Sequence, residues 1–149
     1  SWSGGAPSTR GESRSLPLAE WSPILAQPAC HFVSLQYGRA GDDQQAASQQ
    51  QRVTIHAWRE AIENYAETAA LVAALDLVIS VQTALIHLAG ALGKPAWVML
   101  RRASEWRYME RGATMPWYPS VRLVRQQQPG DWKPVVEEVA RGLAHVARR

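Results

Sequence analysis

The sequence predicts an α/β fold: a parallel sheet with helices on both faces. Three observations lead there. Short apolar runs (Phe32-Val33-Ser34-Leu35, Val53-Thr54-Ile55, Leu77 to Val81, Ala96 to Leu100, Val121 to Val124) recur along the chain. Stretches with helical spacing separate them, and that alternation is the pattern of strand–helix–strand units. The run from Leu77 to Val81 is apolar on both faces, as a strand covered on each side must be.

Each element has its local reason. Residues 1 to 15 read as a loop, broken by Gly4, Gly5, Pro7 and Gly11. The start at Ser1-Trp2-Ser3 is abrupt, and the reading expects a strand to precede it and to have been cut away. Leu16 to Gln27 is expected to be helical, with Ser15 as its cap and Pro17 in its first turn. His31 to Gln36 holds a buried strand. Gly38 to Gln51, rich in Gly, Ala and Gln, reads as a loop or a weak helix. Asn64 with Glu67 has capping-box spacing, so a helix should run to Leu75. Thr83 to Leu92 is a helix stopped by Gly93. Arg101 to Ser120 reads as irregular, with Trp106, Trp117 and Tyr118 among prolines. Trp132 to Val146 closes the chain as an amphipathic helix, with Val135, Val136, Val139, Leu143 and Val146 on one side.

At 149 residues the chain is expected to be one domain, residues 1–149, and 46% hydrophobic residues suffice for one core. No apolar run reaches the ~18–20 residues of a membrane span. No signal peptide opens the chain, and Cys30 has no cysteine to pair with, so a cytoplasmic location is expected. Net charge is +3, and of 16 basic residues all but Lys94 and Lys133 are arginine. They are scattered, which argues against a nucleic-acid partner and is compatible with a phosphorylated ligand or an anionic membrane surface. His31, His56, His87 and His145 lie far apart without acidic or cysteine companions, so no metal site is expected.

Ligands of open parallel sheets bind beyond the carboxyl ends of the strands. The most informative turn is Val81-Gln82-Thr83-Ala84, where a strand hands over to a helix within about two residues, and helix-start amides suit a phosphate. Thr83 caps the helix or adds a hydroxyl. His87 follows one turn later on the same face, where it either meets a ligand or fills the core. Ser3-Gly4-Gly5 is a second place where backbone approaches a phosphate or simply turns. Arg10 and Arg14 neutralise a diphosphate or stand in solvent. Glu67 accepts from sugar hydroxyls or serves only its helix start. The aromatic loop, Trp106-Arg107-Tyr108 and Met115 to Pro119, covers a ligand or plugs the core edge.

The stretch from Glu67 to Pro95 (ETAALVAALDLVISVQTALIHLAGALGKP) resembles the signature of family 9 glycosyltransferases, the ADP-heptose:lipopolysaccharide transferases. It is nearest to the branch found behind tetratricopeptide repeats in bacterial proteins. Trp2-Ser3-Gly4, Arg14-Ser15-Leu16-Pro17-Leu18, Phe32 to Gln36, Pro116 to Pro119 and Gly130-Asp131-Trp132 extend the likeness over nearly the whole chain. The resemblance implies a Rossmann-like domain, the C-terminal half of a GT-B transferase, which binds a nucleotide-diphosphate sugar. It implies transfer with inversion and no tightly bound metal or other cofactor. The acceptor-binding N-terminal domain is missing from this chain, and the full protein is expected to associate peripherally with membranes. Carried over residue by residue, the diphosphate is held at Thr83 and Ala84 with His87 three residues on, and by Arg14; the Ser3-Gly4 turn stays a donor-site candidate on its glycine alone. Glu67 matches the family's sugar-contacting acid to within one position. The family's aspartate before the threonine is Gln82 here, and the family's general base belongs to the absent half. The isolated chain is therefore expected to bind donor without transferring sugar. A catalytically inactive nucleotide-binding or scaffolding module is the alternative. A receiver-like signalling domain lacks its acidic cluster in this sequence.

Overall fold

The computed structural model describes residues 1–4, 11–38 and 41–148. Two sheets form. β1 (Phe32–Ser34) and β2 (Ile55–Ala57) pair in parallel, Val33 opposite His56. β3 (Val78–Val81), β4 (Ala96–Leu100), β5 (Thr114–Met115) and β6 (Tyr118–Arg125) make a second sheet of order β3-β4-β6-β5. Ser80 lies opposite Val98, and Val98 opposite Leu123, all in parallel. Mixed α/β architecture with parallel sheets between helices is thus what the chain adopts.

The strand period of two sorts the side chains to two faces. Val78, Val98, Leu100, Val121 and Leu123 pack with α4 (Tyr65–Ala74) and α5 (Ala84–Ala91) in one buried cluster. Val81, Met99 and Val124 pack on the opposite face against α1 (Ser22–Leu25) and α6 (Lys133–Val146). Asn64 caps α4, its Oδ1 accepting from the amides of Ala66 (2.9 Å) and Glu67 (3.2 Å). Gly93, at φ +66°, ends α5: its amide donates to the Gly90 carbonyl (3.0 Å) and that of Lys94 to Ala89 (2.9 Å). This paired closure satisfies carbonyls that the last helical turn leaves open.

Several expectations are corrected. The helix from Leu16 to Gln27 is split into a 3-10 turn (Leu18–Trp21) and the short α1, because Pro23 has no amide to continue one ladder. Of the two readings of Gly38 to Gln51 the helix is the one adopted, as α2 (Gly41–Gln51), whereas Arg59–Glu63 forms a further helix, α3, absent from the sequence reading. The stretch read as irregular holds a 3-10 turn, Trp106–Tyr108, and the β5–β6 hairpin, so the sheet carries one antiparallel edge. The second strand falls at 55–57, past the predicted Val53. In α6, Val135, Val136, Val139 and Leu143 are buried, but Val146, the last residue of the helix, is exposed because the helix end runs past the sheet it packs on.

On the solvent side of α6, Arg122 pairs with Glu138 at 2.6 Å and lies over the Trp97 ring. Both charged side chains are nearly half exposed. Glu138→Gln is expected to change unfolding free energy by less than about 0.5 kcal/mol in urea titration. A larger loss would mean that the pair fixes the Arg122–Trp97 stack.

Candidate functional site

The cleft opens where β3 hands over to α5. A cavity of about 750 Å3 lies there, at the carboxyl end of the sheet. Ser3, Arg14, Gln82, Thr83, Ala84 and His87 line it together. They come from chain segments some eighty residues apart, which only the fold brings together.

Thr83 occupies the position before α5 in extended backbone (φ −133°, ψ 169°). Its side chain makes no capping bond; Oγ1 instead shares a hydrogen bond with Ser80 Oγ at 3.0 Å. The expected cap is therefore not the hydroxyl's role, and the first amides of α5 lack a side-chain acceptor from that residue. Gln82 beside it is 2% exposed, and among the described residues neither its Oε1 nor its Nε2 has a hydrogen-bond partner. Gly4 is buried behind this turn. A Cβ there would stand 3.0 Å from the Gln82 carbonyl oxygen, a tight approach that a larger residue could make only if the turn gave by a few tenths of an ångström. The Gly4 amide donates to Ser15 Oγ (3.1 Å), and Ser3 Oγ shares a bond with the same hydroxyl (3.1 Å). Gly5 and Arg10 lie outside the described residues.

Arg14 ends the 3-10 turn Gly11–Arg14 and points its guanidinium at Glu105, Nη1 to Oε1 at 3.2 Å. Glu105 also pairs with Arg107. Glu105 is thus shared between two guanidiniums, of which Arg14 lines the cavity and Arg107 does not, and Asp43 adds a second carboxylate to the lining. His87 packs between Tyr108 (6.0 Å between ring centroids) and Tyr118 (5.8 Å, edge-on). Burial, helped by Arg107, lowers its pKa below the ordinary histidine value, so the ring is neutral at pH 7. Burial pushes the Tyr108 phenol up to about 12, which keeps it a neutral donor.

Glu67 is exposed on α4 and is not among the lining residues. Tyr65 and Thr68, three apart on one helix face, take the place on that wall that the sequence reading gave to Glu67. Gln36, Tyr37, Asp43 and Glu105 also reach the cavity and were not foreseen. Of these, only Gln36 sits at a strand end, the signal that could have flagged it. From the aromatic loop Tyr108 reaches the cavity, whereas Trp106 and Trp117 are exposed and meet edge-to-face at 6.2 Å. Among the described residues no cluster of His, Cys, Asp or Glu is arranged to hold a metal ion, and no helix is long and apolar enough to cross a membrane.

No family model matches the chain. It is 39% identical over 135 residues to Protein FlbA of Caulobacter vibrioides (strain ATCC 19089 / CIP 103742 / CB 15), a match that covers 88% of this chain and 22% of that relative. The chain thus spans about a fifth of FlbA. Its fold is that of the solved E. coli ADP-heptose LPS heptosyltransferase II, with a TM-score of 0.62 over 92% of this chain and 44% of that one, at 16% identity. Likeness at that identity establishes a glycosyltransferase-like fold.

Proposed function

We propose that this chain is the donor-binding domain of an inverting glycosyltransferase and that its ligand is a nucleotide-diphosphate sugar. The observation that carries the reading is Gln82, a buried carboxamide with no partner among the described residues, on the wall of a cavity at a helix start. An unsatisfied buried polar group costs about 1–3 kcal/mol, and a hydroxyl-rich ligand would relieve that cost. In this reading the diphosphate rests against the first amides of α5 and the Thr83 hydroxyl, with Arg14 as counter-charge. The sugar hydroxyls meet Gln82, and neutral His87 donates from its ring. Tyr37 and Tyr65, both largely exposed, offer flat faces for the base. Amides fixed in place stabilise charge as it develops on the departing nucleotide, and no metal is needed for that step. The acceptor and its base would belong to another part of a longer, tetratricopeptide-associated protein that works at a membrane surface. The solved neighbour's further 56% of chain outside the match is compatible with that division (100 − 44).

The thermal midpoint in the presence of ADP-, GDP- and UDP-sugars tests the reading. A ligand at one hundred times its Kd should add about 2.7 kcal/mol, a rise of roughly 5–10 °C for a chain of this size. A flat response to all three sinks the proposal. Glu105 gives a finer prediction. Glu105→Gln removes the carboxylate competing for Arg14, so diphosphate affinity should rise about fivefold, near ~1 kcal/mol, by calorimetric titration. A fall would mean that Glu105 holds Arg14 in its working pose.

A second reading has its own support. The Arg14–Glu105 pair and the uncharged Gln82 suit a module that keeps the fold and binds weakly or not at all. Gln82→Asp separates the two: it should tighten binding in a weakened donor site and leave a scaffold silent.

A further inference from the structure

The cavity wall that carries Glu105 and Tyr108 belongs to the loop of residues 101–109, which follows β4. Its front meets the site: Glu105 pairs with Arg14 and Arg107, and the Tyr108 ring packs on His87. Its backbone has little regular structure of its own, one 3-10 turn (Trp106–Tyr108) followed by Met109 at φ +58°. That left-handed conformation disfavours a methionine and persists only where the surroundings hold it. The hold comes from the end of β6. Arg125, opposite Leu100 in the sheet, donates from Nη1 to Ser104 Oγ and from Nη2 to the carbonyls of Tyr108 (2.9 Å) and Met109 (3.0 Å). Gln126 is buried beside it, and its Oε1 accepts from the Arg102 amide (3.2 Å) near the start of the same loop. Among the described residues no carboxylate pairs with Arg125, and burial, together with the nearby Arg102, lowers its pKa below the ordinary arginine value. A guanidinium so placed adds little as a charge. What its planar fork fixes is the relative position of three acceptors on one loop. Arg125 does not itself line the cavity.

We infer that Arg125 is a positioning residue: by holding the Ser104 hydroxyl and the Tyr108 and Met109 carbonyls from behind, it sets where Glu105 and Tyr108 stand, and through them the poses of Arg14 and His87 in the cavity. A lysine keeps the charge, but its donors radiate from one atom and cannot span all three acceptors. The pose of the loop has a spectroscopic reporter. Trp117 Nε1 donates to the Arg107 carbonyl (3.0 Å), and the Trp106 and Trp117 rings meet edge-to-face at 6.2 Å. Coupling between the two indoles gives an exciton couplet in circular dichroism that follows the turn. His87 is a second reporter, inside the cavity. Burial and Arg107 hold its pKa down against the opposing carboxylate of Glu105, so a loop that withdraws uncovers the ring and lets the value rise. The consequence for ligand affinity rests on the donor-site reading; the pose of the loop does not.

The test compares the native chain with Arg125→Lys and Ser104→Ala, and uses Trp106→Phe to identify the couplet. Arg125→Lys should shrink the couplet and raise the His87 pKa, read by NMR titration, toward the ordinary histidine value. It should also weaken whichever of the ADP-, GDP- and UDP-sugars binds best by about fivefold or more, the lower end of couplings between separate sites. Ser104→Ala removes one acceptor without touching the cavity and should give the same changes in smaller measure. An arginine that only stabilises the fold would lower the thermal midpoint and leave the couplet and the His87 titration of the folded protein at their native values. That result in the lysine variant, or in Ser104→Ala should the lysine variant not fold, overturns the inference. So does an altered couplet with unaltered affinity, since the loop would then move without the site. If no nucleotide sugar binds the native chain, the donor-site reading fails alone, and the couplet and His87 still decide the role of Arg125.

Discussion

Gln82→Met is expected to raise the thermal midpoint of the ligand-free protein by several degrees and to remove about half or more of the midpoint rise that a nucleotide sugar produces. Methionine has nearly the volume of glutamine and fills the same space at 2% exposure. It removes one donor and one acceptor that find no partner among the described residues. Replacing unsatisfied buried groups with an apolar chain of like shape should stabilise by about 1–2 kcal/mol. The same change strips the cavity of the carboxamide that the proposed sugar hydroxyls would meet, and an unpaired ligand hydroxyl at that wall should weaken binding tenfold or more, by about 1.4 kcal/mol or beyond. The two effects have opposite sign, which makes the experiment decisive. If Gln82 were an ordinary part of the core, methionine would leave the ligand response intact.

Gly90→Val should cost about 4 kcal/mol, read from urea midpoints, at the upper end of overpacking penalties. A Cβ at Gly90 would stand 2.3 Å from Tyr118 Cγ and 2.7 Å from Tyr118 Cβ. These atoms lie near the backbone of β6, so no swing of a flexible tip relieves the overlap, and α5 must lift from the sheet. Gly90→Ala should cost less, about 2 kcal/mol, because alanine returns roughly 1 kcal/mol of helix propensity. Tyr118→Ala in the Gly90→Val background should recover part of the loss, and a double-mutant cycle measures the coupling. Additive effects would show that the helix is positioned by other contacts. Tyr118 also packs edge-on against His87, so the lifted helix should disturb the cavity as well.

The parts of this fold that are legible in sequence are those whose side chains carry a period. The β3–α5–β4 stretch and α6 are continuous apolar patterns, and the glycine that ends α5 sits where the pattern stops. The hairpin at Thr114–Arg125 was hidden because Pro116 and Pro119 read as breaks, although here they flank a turn and an irregular edge pairing. α2 reads between a loop and a weak helix in sequence because its side chains carry almost no apolar period. Its only buried residue is Ala47, and it is held by polar contacts made at a distance: Gln44 to the Ile55 carbonyl, Gln51 to Ser22, Asp43 to the Trp2 indole. The candidate site divides in the same way. Gln82, Thr83, Ala84 and His87 stand in one turn and its helix, so spacing alone groups them. Glu105 meets Arg14 across ninety-one residues, and Gln36 meets Ser3 across thirty-three, separations that no local pattern encodes.

The cavity straddles the seam between the β1–β2 pair and the larger sheet. Gln36, Tyr37 and Asp43 stand on one bank, and Gln82, Thr83 and His87 on the other. Across that seam much of the polar holding falls to a single carboxamide, that of Gln36. Apolar packing crosses the same seam, since Phe32 and Ile55 share one buried cluster with Ile79 and Val81, so an occupant of the cavity ties together polar banks that stand on a common core. Calorimetry of the empty protein should show one endotherm, and saturating the cavity should move it upward without changing its number of transitions.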